Sequence, residues 1–244
     1  MLLDLIFSIP NSSNPALLIT EIVMILGIVL LSLSAHEAAH AFAAKKLGDH
    51  TAANEGRITL NPMKHLHPLG FLSMALIGIG WANPVPINAR NFRDPRKGMM
   101  LSALAGPLSN FCIASLSTFL AVTTNFAMQT AFMKGHLTES NFYIFQALYM
   151  FFYYAAFLNF SLSVFNLIPC PPFDGSRIFF YFLPKSWYFK VMQYERYLGL
   201  GILLLFIALN RMNLSPVSFL ADGLYDLVAK PFSLMFSSIL NTMA

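Results

Sequence analysis

His36-Glu37-Ala38-Ala39-His40 spells H-E-x-x-H inside an apolar stretch long enough to cross a bilayer. Two imidazoles four residues apart share one face of a helix and can grip a single metal ion, and zinc suits this spacing. The glutamate beside the first histidine can then act as general base on a water that the metal polarises. From six His and five Glu in 244 residues, chance gives this pattern in roughly three chains per thousand, so the motif is specific before its context is considered. A lone His in a membrane helix more often bonds a neighbouring helix than a metal. Three ionisable groups within five residues would each need a separate partner, which favours one shared ion.

A catalytic zinc takes three protein ligands and keeps one position open. Few side chains qualify as the third. Glu21 lies more than three helical turns before His36 on the same helix and is too far away. Glu139 falls on the opposite side of the membrane, Glu195 in a later helix near the inner surface, and Asp94 in a charged, solvated loop. Asp174 is the choice, because Pro169, Pro171 and Pro172 can hold it in place at the end of an apolar helix. The competing reading is that Asp174 caps a helix beginning at Gly175-Ser176.

The elements that must position these groups are mostly long apolar helices. The first is expected over about Ala16 to Lys45, with Pro15 in its first turn and Gly48 after its last. At 1.5 Å per residue it is about 45 Å long. A mixed region from Asp49 to Gly98 follows. In it Arg57 to Leu60 reads as a short strand, and Phe71 to Trp81 as an apolar run too short to span. Further helices are expected over Met99 to Thr124, Phe142 to Phe165 and Val191 to Ala208, while Pro216 to Leu240 could span or lie along the interface.

A chain that is 57% hydrophobic and 11% charged reads as an integral membrane protein. Its net charge of +4 is loop bias and not a nucleic-acid footprint. Cys112 and Cys170 lie in or beside apolar segments, so no disulfide framework is expected. Asp4 stands where a secretory leader would carry Lys or Arg, so no cleaved signal peptide is expected. Eight of the fifteen Lys and Arg fall between Lys45 and Lys97, and Arg177, Lys185 and Lys190 follow the proline-rich segment. The positive-inside rule then puts the end of the first helix and the Asp174 region on the cytoplasmic side of a cell (inner) membrane. For both to share one side, Phe71 to Trp81 must be re-entrant.

Two patterns together carry a resemblance. H-E-x-x-H at His36 to His40 is followed by N-x-x-P-x-x-x-(L/F)-D-G, standing here as Asn166-Leu167-Ile168-Pro169-Cys170-Pro171-Pro172-Phe173-Asp174-Gly175. With A-G-P-L-S-N at Ala105 to Asn110 and Asn83-Pro84-Val85-Pro86-Ile87-Asn88 between them, the chain resembles the site-2 protease family of intramembrane zinc metalloproteases over roughly Ala16 to Pro184. It is most similar to the compact bacterial type. Phe173 replaces the commoner Leu, and neither a PDZ-like insertion nor a CBS-like tail is read. Regulation by such domains is therefore not carried over.

The resemblance implies an all-α polytopic membrane protein in a single domain spanning residues 1–244. A three-helix catalytic core (about 16–184) would carry a short β/re-entrant segment after its first helix, with one or two C-terminal helices (about 190–240). It implies a zinc endopeptidase that cleaves peptide bonds within or near transmembrane segments of membrane protein substrates, with one Zn2+ per chain. His36, His40 and Asp174 would be the metal ligands, Glu37 the catalytic base, and Asn166 a side-chain amide supporting the substrate oxyanion. The Arg57 to Leu60 strand and the neighbouring re-entrant run could pair with an unwound substrate. The expected partners are transmembrane substrates and the lipid bilayer, with an oligomer left open.

Two alternatives remain. A membrane protease that degrades whole misfolded proteins also uses H-E-x-x-H, but with glutamate as third ligand on a later helix. A metal transporter or zinc sensor would favour several weak sites along a path, whereas this chain offers one compact cluster. His65-Leu66-His67 reads as a solvated loop pair, with a second metal there as the competing possibility. Asn110 and Asn159 read as polar packing within helices, and Gly106-Pro107 as a kink or loosening that makes room near the site.

Overall fold

Continuous apolar sequence of this length satisfies its backbone within lipid by forming helices. The computed structural model describes residues 15–67, 69–70, 83–184, 194–212 and 216–243, and among these the helices are α1 (Pro15–Lys46), α2 (Thr51–Asn54), α3 (Pro95–Met133), α4 (Glu139–Asn166), α5 (Asp174–Phe180), α6 (Glu195–Arg211) and α7 (Pro216–Met243). Three of them, α1, α3 and α4, are long and apolar enough to cross a membrane. Their outward faces carry exposed Leu17, Val23, Leu31 and Leu116, as a surface turned to hydrocarbon should. On the buried side of α1, Ser32 and Ser34 each donate to the carbonyl one turn back, of Ile28 and Leu30, at 2.7 Å.

The long helices are where the sequence puts them, with ends that run further than expected. Pro95 opens α3, four residues before the expected start, because a proline at the first helical position sacrifices no hydrogen bond. Pro107 lies inside α3 and does not end it. The end of α1 is sharply defined. Gly48 takes a φ of +108°, a left-handed conformation that suits glycine. The N–H of Gly48 returns to the Lys45 carbonyl at 3.2 Å and that of Asp49 to Ala44 at 2.9 Å. That pair of hydrogen bonds is a Schellman cap, and it delivers Asp49 to a fixed point just past the helix.

Arg57 to Leu60 does not form the expected strand, and no sheet occurs among the described residues. Local polar groups take up its backbone instead. The His65 ring donates from Nε2 to the Thr59 carbonyl at 2.9 Å, and Thr59 Oγ1 accepts the Asn61 N–H at 3.2 Å. Four residues of alternating character are too few to impose a ladder when side chains compete for the same groups. The apolar run Phe71 to Trp81, read as re-entrant, lies outside the described residues.

Backbone contacts divide the chain into two compact units. The first comprises residues 1–109 and 166–205 and carries all the candidate chemistry. The second comprises residues 110–165 and 206–244. The core of the second unit gathers Ala114, Phe160 and Ala221, with Phe157, Leu224 and Val228 packed on them. Within it the side-chain amide of Asn110 donates to Asn159 Oδ1 at 2.8 Å, and Asn159 donates onward to the Ala155 carbonyl at 2.8 Å. Both asparagines are buried, so they act as the packing pair the sequence suggests.

Candidate metal centre

One turn of α1 sets His36 above His40, with ring centroids 4.5 Å apart and planes at 90°. Both rings are buried. Their Nε2 atoms stand 3.0 Å from each other. Asp174, the first residue of α5, brings Oδ2 to 3.1 Å from His36 Nε2 and 3.2 Å from His40 Nε2. The capping alternative for Asp174 fails, because Phe173 occupies the cap position and Asp174 already belongs to the helix.

These three atoms form a nearly equilateral triangle, and its size tests whether a metal fits. Tetrahedral ligands at zinc distances of about 2.0–2.1 Å stand about 3.3 Å apart. The observed sides of 3.0 to 3.2 Å match. The donor set also has the right chemistry, two imidazoles and one carboxylate. Among the described residues this is the group of ligating side chains that could hold an ion. His65 and His67 do not join into a second one: His65 Nε2 is spent on Thr59, and His67 Nδ1 accepts the Gly70 N–H at 3.3 Å.

Helix α3 supplies two supports that the side-chain pattern did not reveal. His40 donates from Nδ1 to the backbone carbonyl of Ser102 at 2.7 Å. That bond leaves Nε2 with its lone pair turned toward Asp174, the tautomer that metal ligation requires. Gly106 lies against both imidazoles, so a Cβ there would collide with ring atoms of His40 and His36. The room that Gly106 was expected to make near the site is the space the two imidazoles occupy.

On the other side, the Pro-rich segment and Gly175 seat α5. A Cβ on Gly175 would strike the carbonyl oxygens of Leu167 and Ile168, so glycine lets the helix start directly against the chain that precedes it.

A cavity of about 280 Å³ opens onto the triangle, lined among others by Glu37, Asn166, Val85 and Arg177. Glu37 shares α1 with the histidines but leaves their face, and its Oε2 accepts the Val85 N–H at 3.2 Å. Val85 belongs to the extended strap Asn83 to Asn88, which is tied at both ends. The Asn83 N–H donates to the His65 carbonyl at 2.6 Å, and the Asn88 N–H to Asp49 Oδ2 at 2.7 Å. Asp49 is fully buried and also accepts from Thr51 and from the Asn91 amide.

The comparisons with known proteins agree with this chemistry. The model of Peptidase family M50 matches residues 23–208. YwhC of Bacillus subtilis (strain 168), named as a candidate zinc metalloprotease, is 38% identical over 235 residues, covering 95% of this chain and 97% of its own. Rip2 of Mycolicibacterium smegmatis, similarly named, is 33% identical over 153 residues, covering 60% of this chain and 52% of its own. No solved structure is a significant match. Since the family match runs unbroken from before His36 to well past Asp174, the chain belongs to peptidase family M50, the site-2 proteases, and is a zinc metalloprotease.

Proposed function

We propose that this protein is an intramembrane zinc endopeptidase that cleaves peptide bonds within or near transmembrane segments of other membrane proteins. The observation that carries the reading is the convergence of His36, His40 and Asp174 on one point, with two of the three on a helix apolar enough to cross a membrane. Residues 1–244 act as a single protease domain. It sits in the cell membrane with the site toward the cytoplasmic side, a placement supported by the Lys and Arg flanking both motifs.

In this reading His36, His40 and Asp174 hold zinc. Bound there, zinc supplies Lewis-acid chemistry that acidifies water toward neutral pH and polarises a carbonyl. Glu37, beside the ligands and open to the cavity, takes the proton of the attacking water and returns it to the leaving amine. The Asn166 side-chain amide lines the same cavity and can donate to the oxyanion as the scissile carbonyl becomes tetrahedral. The two imidazoles themselves are buried, so the dipoles nearest them are screened less than in open water.

Glu37→Gln tests the assignment. The variant should retain one zinc per chain and lose cleavage of a single-span membrane substrate by at least about a hundredfold. Substrates held by this variant in native membranes can then be identified by mass spectrometry. Undiminished cleavage by Glu37→Gln would remove the proposal.

A further inference from the structure

Seven residues are too few to hold a helix by themselves, so α5 keeps its place through what grips its ends. Gly175 seats the start against the Leu167 and Ile168 carbonyls. The other end is held by Arg96. Its Nη2 lies 3.2 Å from the Phe180 carbonyl oxygen, 2.7 Å from that of Tyr181 and 2.7 Å from that of Leu183, and its guanidinium sits 5.8 Å from the Tyr181 ring centroid. These carbonyls belong to the last residue of α5 and the turn that follows it, where a cation is also favoured by the helix dipole.

Arg96 is itself anchored. It is the second residue of α3, and Asp94 Oδ1 accepts the backbone N–H of both Arg96 and Lys97 at 3.1 Å. Six residues further along the same helix, the Ser102 carbonyl holds His40. The first turns of α3 thus grip both sides of the donor triangle: one side through an imidazole, the other through the far end of the helix that begins with Asp174.

We propose that Arg96 is a positioning residue for the metal centre, setting the place of Asp174 by clamping the opposite end of α5, about 10 Å away along its axis. The three carbonyls converge on one nitrogen, Nη2, whose two protons they share, while the guanidinium also lies over the Tyr181 ring; a lysine ammonium keeps the charge without that planar group on the ring. The inference rests on Asp174 being a metal ligand.

Its test is Co2+ binding to the purified full-length chain in detergent, read as a dissociation constant and as visible absorption of the bound ion. Arg96→Met should weaken Co2+ binding about tenfold or more and change the absorption bands, an effect typical of lost support behind a ligand. Arg96→Lys should fall between Arg96→Met and the native chain with little change in melting temperature. Arg93→Met, on an exposed residue of the same loop, should behave as the native chain.

If Arg96→Met does not fold, Arg96→Lys decides: native-like Co2+ affinity and spectrum in it overturn the proposal. Native binding in a folded Arg96→Met does the same. Asp174→Asn separates the two levels. Intact Co2+ binding there overturns the ligand assignment itself, whereas loss there with native binding in Arg96→Met overturns only the role of Arg96.

Discussion

His40 points its Nε2 at Asp174 because its Nδ1 proton is held by the Ser102 carbonyl, 2.7 Å away on another helix. A backbone acceptor cannot be removed by ordinary substitution, so the neighbours that keep α3 close are the accessible levers.

Gly106 is the first of these. In Gly106→Ala the new methyl group falls on the rings of His36 and His40. Overpacking of this kind costs about 1–3 kcal/mol, and here the groups that must yield are the proposed ligands. Zinc retention against a chelator should drop by about tenfold or more, while far-UV circular dichroism stays native. Unchanged zinc retention would show that α3 does not press on the histidines.

Gly175→Ala should act on stability as well as on the site, because its methyl group meets backbone oxygens of residues 167 and 168 that have little freedom to move. A loss of about 1–3 kcal/mol is expected from thermal unfolding in detergent. Gly27, in α1, has nothing within 4 Å of its would-be Cβ, so Gly27→Ala should be neutral or gain up to about 1 kcal/mol. Equal effects of the two would contradict the close seating of α5.

Asp49 should give the first unit an acid-sensitive tie. Burial raises its carboxyl, but the hydrogen bonds from Thr51, Asn91 and Asn88 outweigh that and hold it below the usual aspartate value. A carboxyl depressed in the folded state contributes stability above its unfolded pKa, about 3.9, and loses it as pH falls through the folded value. Asp49→Asn should therefore be less stable by about 1–3 kcal/mol at neutral pH. The difference should hold down to about pH 5 and narrow below about 4. A gap that widens in acid would contradict the bonding around Asp49.

The parts of the site legible in the sequence are those whose geometry is local. His36 and His40 need only one helical turn, and the proline-rich run before Asp174 marks an unusual backbone near an apolar helix end. What escaped notice works through backbone groups or through space left empty. The Ser102 carbonyl and the Val85 N–H have no side-chain signature, and Gly106 reveals its purpose only when the imidazoles stand beside it. In the sequence Arg96 is one of a run of loop cations, with nothing local to mark its link to Phe180, Tyr181 and Leu183. The strand expected at Arg57 to Leu60 failed because Thr59 and His65 satisfy that backbone locally, a competition that residue alternation cannot reveal.

The convergence of His36, His40 and Asp174 is tested most directly by the metal content of the purified full-length chain, measured by mass spectrometry after equilibration with a weak chelator. We predict one zinc per native chain, one per Glu37→Gln chain, and a loss of most zinc from Asp174→Ala under the same conditions. An Asp174→Ala chain that keeps its zinc as tightly as the native one would contradict the assignment.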